Sequence, residues 1–102
     1  MTQTNTKTLI DNEVKKAKKA AAKKIWAKVP QCQKDYIYKI DMEIKFWRDA
    51  ESEKMKDLYI DKFNACIEFL ALGDIDIFCE LISIANNYCI QRMRAEREQA
   101  NN

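Results

Sequence analysis

Apolar residues recur at helical spacing along most of the chain, and their stripes predict a series of helices. A first helix is predicted to begin at Thr8, after a polar segment over residues 1–7, and to end before Pro30. The residue before a proline is pushed out of the helical conformation, so the segment stops there. Its apolar side chains form one narrow stripe at spacings of three and four: Ile10, Val14, Ala17, Ala21 and Ile25.

The segment over residues 36–47 fits two structures. Residues 38–46 alternate apolar and polar side chains, which is the period of a strand, yet the segment also contains two apolar stripes at helical spacing. A strand needs a partner strand, and the chain contains no second alternating segment. We therefore predict a helix sandwiched between neighbours, with a strand in residues 36–47 as the alternative.

The rest of the chain predicts a long antiparallel helix pair joined at Gly73-Asp74. Glycine can adopt the left-handed conformation that closes one helix, and aspartate can cap the next. Residues 75–90 carry so wide an apolar surface that we expect this helix to be central, or partly covered by a second protomer. Residues 91–102 are polar and rich in helix-forming side chains, so we expect them to form a solvated helical end. The preceding helix shows a core-facing stripe: Met55, Leu58, Tyr59, Phe63, Cys66, Ile67 and Leu70.

These elements predict an all-α fold, a small bundle of three to four helices. We divide it into a basic N-terminal helix over residues 1–30 and a helical core domain with a polar C-terminal tail over residues 31–102. The 102 residues include one Gly and one Pro, too few turn residues for a multi-stranded sheet. With 47% apolar and 33% charged residues, the chain is expected to fold.

The composition excludes most catalytic and metal chemistry. The chain has no His, a single Gly and two Ser, so no set of nucleophile, base and orienting group can be assembled. We predict no catalytic residue, no enzyme activity and no cofactor. No metal site is expected either, because zinc ligands usually come in close pairs and no two cysteines lie within four positions. The cysteines are Cys32, Cys66, Cys79 and Cys89.

The location expected from the sequence is the cytoplasm. The N-terminal residues contain no apolar run typical of a signal peptide, and no stretch is long and apolar enough for a membrane span. Cysteines within apolar helical stretches then remain reduced and behave as small hydrophobic residues.

Charge is distributed unevenly along the chain. Residues 1–34 contain nine lysines and two acidic residues, whereas residues 35–102 contain nine basic and fourteen acidic residues. The lysines of the first helix cover roughly 20 Å of its length, a surface that suits a phosphate backbone. None of these residues is Arg, the side chain that contacts guanine through two hydrogen bonds, so we do not expect base-specific recognition by this helix. The candidate nucleic-acid-binding residues are Lys15, Lys16, Lys18, Lys19, Lys23, Lys24 and Lys28. Alternatively, they lie against the acidic part of the same chain or of a dimer mate.

Four aromatic residues are candidates for contact with a partner. Trp26 lies within the basic run, where it could stack on an unpaired base or, alternatively, seat the helix on its own core. Tyr36, Trp47 and Tyr59 are candidate anchors for a protein partner.

The resulting hypothesis is a small non-enzymatic nucleic-acid-associated protein that grips phosphates with its first helix and forms a homodimer through its apolar helices. In a ribbon-helix-helix variant, residues 38–46 would form an intermolecular ribbon. The alternatives are a phage- or plasmid-type regulator or inhibitor that contacts a host nucleic-acid-processing complex, and a structural assembly subunit. No contact with a membrane is expected, because the narrow apolar stripe of the basic helix includes two alanines and buries too little apolar area.

Overall fold

The computed structural model describes residues 2–46 and 53–101, which form four α-helices. The helices are α1 (Thr2–Lys28), α2 (Gln31–Phe46), α3 (Glu53–Ala71) and α4 (Ile75–Asn101). No strand occurs within these ranges, so the prediction of an all-α bundle is confirmed. No helix in the same ranges has both the length and the apolarity required to cross a membrane.

Local chemistry sets the ends of α1. The helix begins at Thr2, earlier than predicted, and Thr8 therefore lies inside it rather than at its N-cap. At the other end the prediction is confirmed, because the chain leaves the helix just before Pro30. The Val29 N–H donates to the Trp26 carbonyl at 3.1 Å, and the Pro30 carbonyl then accepts the N–H of Gln33 at 3.0 Å as α2 begins.

The ambiguous segment is a helix throughout its described part. Ile37 and Ile40 come from one of its predicted stripes and Tyr38 from the other, and all three side chains are buried. A helix that buries two faces must lie between neighbours, as α2 does, packing mainly on α3 and more lightly on α4. The strand alternative and the ribbon-helix-helix variant are therefore wrong, because residues 38–46 are helical and form no ribbon.

The α3–α4 connection at Gly73-Asp74 is also confirmed. Leu72 and Gly73 both adopt the left-handed conformation, with φ of 53° and 84°. Asp74 then caps α4: its Oδ1 accepts the N–H of Asp76 at 3.0 Å and that of Ile77 at 3.1 Å. The turn brings α3 and α4 into contact as an antiparallel pair.

Helix α4 is the centre of the bundle, as its wide apolar surface predicted. It packs against α1 on one side and α3 on another, and its Leu81, Ala85 and Cys89 are fully buried. Of the predicted solvated end over residues 91–102, Gln91 and residues 94–100 are exposed, whereas Arg92 and Met93 are half-buried against the bundle. The molecule measures 54 × 35 × 24 Å, longer than a compact domain of this size, because α1 and α4 are both long.

Two predicted core stripes are only partly buried. Ile10 and Val14 of α1 are 57% and 48% exposed, whereas Ile25 packs on the core. Met55 and Leu58 of α3 are also exposed, although the predicted stripe placed them in the core. In both helices, the face that packs on the core therefore coincides with only part of the predicted apolar stripe.

Candidate functional site

The docked face of α1 is built from small and aromatic side chains together with one lysine. Ala22, Trp26 and Val29 are buried in the common core. One turn before Ala22, Lys18 reaches the start of α4 and forms an ion pair with Asp74. This contact joins α1 to the residue that caps α4.

The Lys18–Asp74 ion pair and the cap act on the same carboxylate. One oxygen of Asp74 faces the Lys18 ammonium, and the other accepts the two backbone N–H groups of the cap. Lys18, followed by the Ile77 N–H, lowers the pKa of the Asp74 carboxyl, and the hydrogen bond to Asp74 raises the pKa of Lys18. Lys18 is thus committed to a partner in its own chain.

Lys15 also lies beside acidic residues of α4. It lines a cleft of about 480 Å³ together with Lys18, Asp76 and Glu80. Residues 63–91 contain four acidic residues and no Lys or Arg, so the start of α4 is the acidic side of the bundle. For Lys18, the structure favours the interpretation in which lysines lie against the acidic part of the chain; Lys15 is exposed and forms no ion pair among the described residues, but it borders the same acidic cleft.

The other five lysines of the predicted set face solvent, and we call them the outer lysines. All five are exposed, and none forms an ion pair among the described residues. On a helix they form two rows that run for about 18 Å along the side of α1 away from α4. The outer lysines are Lys16, Lys19, Lys23, Lys24 and Lys28.

Trp26 belongs to the core rather than to the exposed basic surface. Its side chain is 9% exposed, and its ring meets that of Tyr88 edge-on at 5.4 Å between centroids. The Lys34 ammonium lies 5.3 Å from the ring centroid of Trp26 and covers it from outside. The assignment of Trp26 to partner binding is thereby corrected, because the ring has no open face on which a base could stack.

The three remaining aromatic candidates are not brought together with the outer lysines. Tyr36 is 51% exposed on α2, and Tyr59 is half-buried on α3 under the Lys62 ammonium, 5.1 Å from its ring centroid. Trp47 lies outside the described residues. Tyr36 is the candidate that keeps most of its ring accessible.

The structure contains a polar network around Arg92 that no pattern in the sequence predicts. Arg92 donates to Asp35 at 2.6 Å and to Glu96 at 3.3 Å, and its guanidinium lies 4.3 Å from the ring centroid of Tyr38. The Tyr38 hydroxyl donates to Glu96 at 2.8 Å; burial of the ring and this contact raise the pKa of Tyr38 to about 12. These contacts fasten α2 to α4, so Arg92 is engaged within the chain rather than presented to a ligand.

The described residues contain no group of three or more His, Cys, Asp or Glu side chains that could hold a metal ion. All four cysteines are free thiols, with Cys32 and Cys79 exposed. No protein-family model matches the sequence, and no curated protein or solved structure is significantly similar to it. The outer lysines therefore remain the most distinctive charged surface of the described chain.

Proposed function

We propose that this protein is a non-enzymatic nucleic-acid-associated protein of the cytoplasm that grips the phosphate backbone with the outer lysines of α1. The observation that supports this proposal is that five lysines share the solvent-facing side of one rigid helix without an acidic partner in the described chain. Opposite this surface, Trp26 and the Lys18–Asp74 ion pair hold α1 on α4. The cations are therefore presented at fixed positions, which reduces the ordering cost of binding.

The chemistry of this surface predicts binding without sequence preference. Lysine is a compact point charge and lacks the planar fork with which arginine reads guanine. Each phosphate that a lysine neutralises releases counterions, so the logarithm of the binding constant falls with the logarithm of salt by about 0.9 per contact. If all five outer lysines contact a duplex, the slope is about −4.5.

Fluorescence anisotropy of labelled duplex DNA, single-stranded DNA and RNA, measured between about 50 and 200 mM salt, tests this function. The variant K19Q/K23Q/K24Q removes three outer lysines, and K39Q/K54Q/K56Q is a matched control that removes three charges from α2 and α3. The first variant is expected to make the salt slope shallower by about 2.7. The control is expected to retain the wild-type slope and most of the affinity.

The outcomes separate this proposal from its alternatives. Binding that weakens equally in the two variants would mean that net charge, and not the outer face of α1, determines affinity. Absence of binding to all three nucleic acids at about 50 mM salt would overturn the proposal and favour a regulator that acts by protein contact.

A further inference from the structure

Helix α3 carries a second apolar face on the side turned away from the core. Six exposed positions follow one another along this helix and the residue after it, at spacings of three, four, three, four and three. This is the 3.5-residue spacing by which one helix packs against another in a coiled coil. We call these positions the outer stripe: Met55, Leu58, Lys62, Ala65, Phe69 and Leu72.

The outer stripe is apolar at both ends and ends in a groove. Phe69 and Leu72 are 73% and 86% exposed, and Ile75, just after the turn, is 74% exposed. Ala65, Phe69 and Ile75 line a groove of about 740 Å³ between α3 and the start of α4. Large apolar side chains this exposed and this close together are typical of an interaction site.

The solvent-accessible area of the chain is larger than that of a compact monomer of the same mass. A compact monomer of 12.0 kDa exposes about 6,000 Å². This chain exposes 7977 Å². The surplus of about 2,000 Å² includes the exposed ends of the long helices α1 and α4 as well as the outer stripe, and it exceeds the roughly 800 Å² that each partner contributes to a stable interface.

The outer stripe is complementary to itself when two copies of α3 run antiparallel. Its spacings are the same in both directions, so a two-fold axis at the level of residues 63–64 aligns every layer. Leu58 then faces the partner subunit's Phe69, and Met55 lies at the level of the partner subunit's Leu72, in the turn that follows α3. In the central layer, the long Lys62 side chain faces the small Ala65 of the partner subunit.

The charges beside the outer stripe also fit a second copy. Asp61 and Glu68 are exposed on one flank of the stripe, with Lys62 between them in sequence. In the antiparallel arrangement, Lys62 lies within one turn of the same two carboxylates on the partner, and its ammonium reaches them by leaving the ring of Tyr59. A single charged residue in an otherwise apolar seam fixes the register, because the other alignments place it opposite a larger apolar side chain and farther from these carboxylates.

We propose that the outer stripe of α3 is a homodimer interface in which the two α3 helices pack antiparallel about a two-fold axis. This interface involves none of the outer lysines and holds whether or not the protein binds nucleic acid. It also assigns a role to Met55 and Leu58, which the bundle itself leaves exposed.

Sedimentation equilibrium of the full chain at micromolar concentrations tests the interface. The wild-type protein is expected to sediment at twice the 12.0 kDa chain mass. L58K and F69E each place a charge against an apolar side chain in two symmetric layers, and each is expected to weaken dimerisation at least about 100-fold. Y36E, at an exposed aromatic on α2, is the control and is expected to stay dimeric. Circular dichroism of each variant checks that the helices are intact.

A mixture of the two variants tests the antiparallel direction. In the proposed arrangement, an L58K chain and an F69E chain pair with one Lys–Glu layer and one intact Leu–Phe layer, so the mixture is expected to form a heterodimer. A parallel pair would align residue 58 with residue 58, so mixing would form no Lys–Glu layer and would leave one unpaired charge against an apolar side chain in each of the two layers.

Three results would overturn the proposal: a monomeric wild-type protein at these concentrations, a dimer that L58K and F69E leave unchanged, or a mixture of the two variants that stays monomeric. A monomeric wild-type protein would mean that the outer stripe binds a different protein. A dimer unchanged by the two variants would mean that the dimer interface lies elsewhere.

Discussion

Trp26→Ala tests whether α1 is held by its own core or presents this ring to a ligand. The side chain is nearly buried, so its removal leaves a cavity between α1 and α4 and is expected to cost about 3–5 kcal/mol. Loss of the edge-on contact with Tyr88 accounts for about 0.5–1.5 kcal/mol of that cost. Trp26→Phe keeps an aromatic ring beside Tyr88 and is expected to cost only about 1–2 kcal/mol.

The assay is urea unfolding followed by far-ultraviolet circular dichroism. A domain of this size loses about 4–8 °C of melting temperature per kcal/mol, so a parallel thermal scan of Trp26→Ala is expected to melt at least about 12 °C lower. Tyr36→Ala, which truncates an exposed aromatic, is the control and is expected to change the free energy of unfolding by less than about 0.5 kcal/mol.

A double-mutant cycle with Tyr88→Leu isolates the contact between the two rings and is expected to give about 0.5–1.5 kcal/mol of coupling. A change in the free energy of unfolding of less than about 1 kcal/mol for Trp26→Ala, together with loss of nucleic-acid binding, would refute the assignment of this ring to the core. That combination would make the ring a contact for the ligand and not for the core.

Three further predictions follow from the turn, the cap and the thiols. Gly73→Ala is expected to lower the free energy of thermal unfolding by about 1 kcal/mol, because φ at this residue is +84°, which alanine adopts only with strain. An added Cβ would meet no atom within 4 Å, so a cost several times larger would reveal a packing role for this position. The pKa of Asp74 is lowered from 3.8 by folding, so its charge stabilises the fold above that pH, and this contribution is lost as pH falls through the folded pKa. Acid titrations of wild type and Asp74→Asn should therefore converge at low pH, and a constant difference between them would contradict the ion pair. With Ellman's reagent at pH 8, the exposed Cys32 and Cys79 are expected to react rapidly; burial raises the pKa of Cys89 to about 11, so rapid modification of Cys89 would show that the core opens.

The sequence was sufficient where local chemistry decides the structure. Pro30 ends α1 because of its effect on the preceding residue, and Gly73 and Asp74 form the turn because each supplies a conformation or a cap that few residues can. The helical assignment of residues 38–46 followed from the lack of any partner for a strand. The first two predictions depend on a few neighbouring residues and the third on the pattern of the whole sequence, and none requires knowledge of a distant contact.

The orientation of the helices could not be predicted in the same way. In α1 the bulky Trp26 sets the docked face together with Ala22, and this face lies about a quarter turn from the stripe begun by Ile10 and Val14. In α3 two apolar faces interleave in the sequence, and nothing local shows that Met55 and Leu58 belong to the outer one. The Arg92 network joins residues 57 positions apart, a separation over which no periodicity operates.

The shared role of Asp74 has a consequence for the order in which the chain folds. Lys18 binds a carboxylate that lies 56 positions away and is oriented by the capped turn between α3 and α4. The hairpin can form from neighbouring segments, whereas α1 must close a long loop before it gains its contacts. We therefore expect helix α1 to dock last and to detach first. Substitutions at Lys18 should accelerate unfolding while leaving the folding rate nearly unchanged.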